Sequence, residues 1–144
     1  MTVRKQVAAH MHAVSRLRKA GLRPTRQRRL LADLLFRHGN RHVTAERLHI
    51  EAERSGCHVS LATVYNTLHQ FTAAGLLRQV IVDSARSHFD TNTRPHQHFY
   101  DEAGGYLIDI PEDSIAVSGL PAAPKGMTVA AVDVVVRLRP IDSD

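Results

Sequence analysis

The sequence predicts an α+β fold in two parts, an N-terminal winged helix-turn-helix over residues 1–90 and a small α/β domain over residues 91–144. Three observations predict it. Apolar residues recur at helical spacing through the first half of the chain, short β-rich segments broken by polar or Gly turns follow, and the charge changes sign near residue 88. Residues 1–88 carry 15 Lys/Arg against 5 Asp/Glu, whereas residues 89–144 carry 4 against 9. A basic block joined to an acidic one that bears histidines suggests a nucleic-acid module followed by a domain of a different kind. A dimer that pairs its own basic and acidic faces is the competing explanation.

The first element is VAAHMHAVSRLRKAGLRP, a helix whose apolar positions Val7, Met11, Val14 and Leu17 fall on one face. Its basic end leads to Arg23, which could reach phosphate or a narrow minor groove and reads equally as an ordinary solvated arginine. In RPTRQRRLLADLLFRHG, Pro24 and Thr25 start a second helix, Leu30, Leu31, Leu34 and Leu35 give its apolar side, and Gly39 stops it. HVTAERLHIEAERSG offers Thr44 as N-cap; Arg47 at the third position forms no capping box, and Ala45, Leu48 and Ala52 supply the buried stripe. SLATVYNTLHQFTAAG is capped by Ser60, turns Val64, Leu68 and Phe71 inward and ends at Gly75.

The other side of that helix presents Thr63, Asn66, Thr67 and Gln70, with Ser60 and Tyr65 near its start. Uncharged hydrogen-bonding side chains inside a basic block fit a recognition helix, where Tyr and Thr meet thymine methyls and Asn reads adenine. A merely soluble helix shows Lys and Glu instead. GLLRQVIVDSARSHFD then reads as two strands around a polar turn at residues 83–87, which completes a winged helix.

Beyond it, HQHFYDE and GYLIDI flank Gly104-Gly105 as a hairpin, PEDSIAVSGLPAAPKG is expected to be a short helix or an irregular crossover, and MTVAAVDVVVRLRP is a third strand. So small a sheet cannot cover both its faces, and dimerisation is the remedy. No apolar run is long enough for a membrane span and the start MTVRKQVAAH lacks a signal core, so a cytoplasmic protein without a membrane partner is expected. The single cysteine, Cys57, can form neither an internal disulfide nor a CxxC zinc clip; any metal must be held by nitrogen and oxygen.

RPHQHFYDE places two imidazoles, His96 and His98, at i and i+2, on the same side of a strand and about 6–7 Å apart. That is chelating geometry, although an isolated HxH reads more readily as an exposed strand face with two solvated histidines. The segments GLRPTRQRRLLADLL, HVTAERLH, SLATVYNTLHQFTAAGLL, HFDTN, RPHQHFYDE, LIDIPE and VDVVVRLRP resemble the ferric uptake regulator (Fur) superfamily from about residue 20 to 140. FDTN and VDVVVRLRP resemble its iron response regulator (Irr) branch. The resemblance implies a homodimeric, non-enzymatic transcriptional regulator, mainly a repressor, with an N-terminal DNA-binding winged helix and a C-terminal α/β dimerisation domain. It would bind double-stranded operator DNA and control iron uptake, iron storage and haem synthesis in response to iron or haem.

The resemblance also implies a regulatory metal site, carried over to His42, Asp90, His96, His98 and Asp109, all of them ligand types suited to Fe, Mn, Zn or Co as divalent ions. On this reading Arg23, Ser60, Thr63, Tyr65 and Asn66 contact DNA. Asn66 follows the tyrosine where the wider family often has Arg, so a different operator is expected. The Irr branch is linked to haem, and His96 and His98 are its candidates here. Cys57 is followed by His58 and not by the proline of a haem regulatory motif, and axial haem ligands must lie on opposite sides of the porphyrin, unlike two histidines on one side of a strand. The alternatives are a divalent-metal or peroxide-responsive repressor that binds DNA when metal-loaded, a DNA-binding module without a ligand, and a metalloenzyme built on a facial triad.

Overall fold

The structure is a computed structural model that describes residues 3–84 and 86–142, the side chains of residues 3–10 excepted. It divides into two compact units, Met1–Thr93 and Arg94–Asp144. Among the described residues no helix is long and apolar enough to cross a membrane.

In the first unit, α1 (Val3–Lys19) and α2 (Arg26–Phe36) precede β1 (His42–Thr44), α3 (Ala45–Arg54) and α4 (Leu61–Ala73). The strands β2 (Arg78–Ile81) and β3 (Ser87–Asp90) follow. Each of α2, α3 and α4 begins where the sequence supplies a hydroxyl: Thr25, Thr44 and Ser60 accept from the backbone N–H three residues on. The end of α4 is closed by Gly75, whose φ of 82° admits the left-handed turn that lets Leu76 N–H reach the Phe71 carbonyl at 2.9 Å. Leu31, Leu35, Ala45, Leu48, Ala52, Val64, Leu68, Phe71 and Phe89 are fully buried in one cluster. The three strands form an antiparallel sheet in the order β1-β3-β2, with β2 and β3 as the wing.

Two expectations are corrected here. Among the described side chains of α1 the buried positions are Ala13 and Leu17, while Met11 is 65% exposed, because small Ala13 lets the helix approach closely where a long side chain would hold it off. Arg16 lies over the Phe36 ring at 4.5 Å and seals the same face. The side chain of Val7 lies outside the described residues. On α4, Thr67 is buried, not outward: it continues the Val64, Leu68, Phe71 stripe, and its hydroxyl donates to the Thr63 carbonyl at 2.8 Å.

The second unit holds β4 (His98–Asp101), β5 (Tyr106–Asp109) and β6 (Val135–Leu138) in the order β5-β4-β6. The first pair is antiparallel and the second parallel. The hairpin turns where expected, with Gly105 at φ 72° and the Asp101 carboxylate accepting from the N–H groups of Ala103 and Gly104. Residues 111–134 contain turns but no helix or strand, so the crossover is irregular. The third strand is shorter than its β-branched run, since only residues 135–138 lie against β4. Only Tyr100, Leu107 and Ile110 are buried apolar residues among those described in this unit.

Candidate metal centre

In the first unit, β1 and β3 pair with His42 opposite Asp90. Alternation sends Val43 and its partner Phe89 into the core, so the flanking His42–Asp90 pair lies on the other face. His42 Nε2 stands 3.2 Å from Asp90 Oδ2, and Asp90 is 1% exposed. A carboxylate so buried must be compensated. Its second oxygen accepts from Asn92 N–H at 2.9 Å, which aims the first at the imidazole. Behind the pair, Arg41 and Thr91 extend the ladder: Arg41 N–H donates to the Thr91 hydroxyl and Thr91 N–H to the Arg41 carbonyl. The Arg41 guanidinium grips both Glu51 oxygens at 2.8 and 2.7 Å and reaches the Leu34 carbonyl. That hydrogen bonding holds the Glu51 carboxyl below its ordinary value, against the opposing effect of burial.

The second unit repeats the device. His98 and Asp109 are cross-strand partners, and His96 comes two residues before His98, just ahead of β4. His96 Nε2 and His98 Nε2 lie 3.2 and 3.4 Å from the same Asp109 oxygen, Oδ1. The imidazole centroids are 4.4 Å apart, both side chains are 2% exposed, and the Asp109 side chain is 45% exposed. His96 Nδ1 is 2.6 Å from the Arg94 carbonyl. A carbonyl can only accept, so Nδ1 carries the hydrogen and Nε2 of the neutral ring offers a lone pair. That lone pair faces a carboxylate oxygen, and two acceptors at this distance require a proton or a metal ion between them. The donor set therefore fits a divalent cation. Gln97, between the histidines, accepts from Val134 N–H at 2.6 Å and donates to the Val132 carbonyl at 3.3 Å, tying the approach to β6 to the histidine pair.

Of the residues singled out for DNA contact, Arg23, Ser60 and Asn66 are exposed, whereas Thr63 and Tyr65 are half-buried. Ser60 is occupied as a cap, with its oxygen accepting from Thr63 N–H at 3.0 Å and its hydroxyl donating to Thr63 Oγ1 at 2.9 Å. Gln70 is exposed and accepts from Arg28 at 3.0 Å, while Arg28 also donates to the Arg23 carbonyl. Sequence reasoning missed Arg28, Asn92, the Arg94 carbonyl and Gln97 as supports. The two backbone interactions carry no residue-type signal; D-x-N at 90–92 was the one visible cue. Cys57 is buried in the first unit, which pushes its thiol up from the ordinary range.

A winged helix joined to a small sheet unit, with a cross-strand His–carboxylate pair in each, defines a class of winged-helix proteins equipped for a nitrogen and oxygen-held ion. Comparison with known proteins agrees. Residues 19–137 match the family model described as "Ferric uptake regulator family". The chain belongs to that family. It is 36% identical over 113 residues to the ferric uptake regulation protein of Shigella flexneri, covering 77% of this chain and 76% of that one. It is 32% identical over 97 residues to the peroxide-responsive repressor PerR of Staphylococcus epidermidis, covering 67% of this chain and 64% of the repressor's length. Among solved structures, the Pseudomonas aeruginosa ferric uptake regulator with manganese matches at a TM-score of 0.66 and 26% identity, over 90% of this chain and 98% of that one. The Vibrio cholerae ferric uptake regulator shares the fold at a TM-score of 0.70 and 22% identity, over 88% and 98%.

Proposed function

We propose that the protein is a metal-responsive transcriptional regulator that binds double-stranded operator DNA as a homodimer. The observation that carries this reading is the convergence of His96, His98 and Asp109, whose ligand atoms lie within 4.8 Å of one another, in a chain of the ferric uptake regulator family. His42 and Asp90, the matching pair of the first unit, complete the five-residue set. A divalent ion, when bound, supplies the positive charge that these donors share. Donors drawn from both units would couple the units when they share an ion, and in a dimer that coupling would set the spacing of the two α4 helices. Metal occupancy thereby becomes DNA affinity. Exposed Tyr106, Ile108, Leu120, Met127 and Val129 support pairing of two copies through the second unit. Arg23 and its basic neighbours supply phosphate contacts, and Ser60, Thr63, Tyr65 and Asn66 the base choice.

FDTN and VDVVVRLRP favour the Irr branch, with control of iron uptake, iron storage and haem synthesis by iron or haem and release of DNA when either is plentiful. The shared aim of His96 and His98 at one oxygen favours a single non-haem ion at this set, with haem using at most one of the two histidines and displacing it. The likeness to a peroxide-responsive repressor favours a second reading, in which the loaded protein binds DNA and peroxide releases it.

The test is fluorescence anisotropy on an iron-box duplex at fixed salt, with apo, Fe(II), Mn(II), haem-loaded and peroxide-treated protein, beside the double variant His96→Ala/His98→Ala. Release of wild type by iron or haem, but not of the variant, supports the Irr reading. Binding that requires Mn(II) or Fe(II) supports the second. Affinity indifferent to every ligand refutes both and leaves a DNA-binding module.

A further inference from the structure

Tyr65 is the largest side chain assigned to base contact, yet its backbone alone does not fix the ring. His69, one turn further along α4, lies against it with centroids 5.6 Å apart and planes tilted by 30°. The His69 ring also meets the Phe89 ring at 5.5 Å and 82°, a T-shaped contact. Phe89 is fully buried on β3, opposite Val43 and directly before Asp90. An exposed histidine of α4 thus touches both Tyr65 and the strand that carries a proposed metal ligand. A solvated His on an outer helix face would not meet Phe89.

We propose that His69 is a positioning residue that fixes the reading orientation of Tyr65 and thereby ties base choice to strand β3. The inference rests on the DNA-binding reading above. A ring held before DNA arrives loses less freedom on binding, and a ring free to rotate reads neighbouring bases less selectively. Because Phe89 adjoins Asp90 in the β1–β3 ladder, a shift of that strand acts on Tyr65 through one intervening ring. His69 itself need touch neither DNA nor metal.

The experiment uses the full chain with ring-labelled tyrosine, whose three residues give separable NMR signals, Tyr65 being assigned from Tyr65→Phe. The DNA probe is a duplex selected by the wild-type protein from a random-sequence pool, with a scrambled duplex as reference at the same salt. His69→Ala is expected to move the Tyr65 ring signals while leaving Tyr100 and Tyr106 in place. It should reduce discrimination between the duplexes by about threefold to tenfold, the scale of one aromatic pair. His69→Phe should restore both readouts, and in a Tyr65→Ala background His69→Ala should cost nothing further. Unmoved Tyr65 signals, or an equal loss in the Tyr65→Ala background, would overturn the assignment. Should the wild type select no duplex, the DNA-binding reading fails alone, and the ring signals still decide whether His69 positions Tyr65.

Discussion

Replacing Glu51 with Gln removes the acceptor that holds Arg41. The pair is bidentate at 2.8 and 2.7 Å, with side chains 30% and 18% exposed, and Arg47 donates to the same carboxylate at 3.1 Å. Hydrogen bonds to a charged group are worth about 1.5–3 kcal/mol. Partial exposure and the neutral bond that Gln retains reduce this, so about 2 kcal/mol is expected at pH 7. With a urea slope of about 2 kcal/mol per M, the unfolding midpoint falls by about 1 M, read by far-ultraviolet circular dichroism. The pH dependence has a definite sign. The folded Glu51 carboxyl is held below its ordinary value of 4.5, so its stabilisation is complete above that value and lost as pH falls through the lower, folded one. Wild type and variant should therefore converge under acid conditions. Glu53→Gln, on an exposed carboxylate, is the control. A midpoint change below about 0.2 M at neutral pH would falsify the assignment of Glu51 as a half-buried clamp. Since Arg41 directly precedes His42, the variant should also weaken metal binding, read by equilibrium dialysis.

Three further outcomes are expected. Ser60→Ala removes the α4 cap at a cost of about 1 kcal/mol in urea unfolding, and Ser60→Asp recovers most of it because aspartate also caps. Cys57, buried and with its thiol pushed up, should react with iodoacetamide at pH 8 far more slowly in the native protein than in urea; equal rates would contradict its burial. Gln97→Leu leaves Val134 N–H and the Val132 carbonyl without their side-chain partner and should destabilise the second unit by about 1–3 kcal/mol, with a parallel loss of metal affinity in dialysis.

Most of the first unit was legible because its signals are local. Thr25, Thr44 and Ser60 cap the helices as expected, and Leu48, Val64, Leu68 and Phe71 are all fully buried. Thr67 was misplaced because its hydroxyl reads as polar, although i, i+3, i+4 spacing from Val64 puts it on the core stripe and the Thr63 carbonyl satisfies it. Met11 was misplaced for the opposite reason: hydrophobicity ranks it above Ala13, and close helix packing favours the smaller residue. The run at 127–140 looks uniformly β-forming, but a strand needs a partner, and β4 spans only His98–Asp101. The ligand types were visible in RPHQHFYDE and HFDTN, while the pairing of His98 with Asp109 and of His42 with Asp90 depends on ladder register, which composition does not encode.

That register has a consequence for how the strands find one another. His42 and Asp90, like His98 and Asp109, meet only while directly opposed; sliding either strand pair by one residue sends one member of the pair to the opposite face. Strands of three or four residues offer little else to distinguish neighbouring alignments. The same four side chains proposed as cation donors therefore reward the correct alignment twice, and an ion present during folding would act as a proofreader, stabilising only the chains whose strands have closed in step.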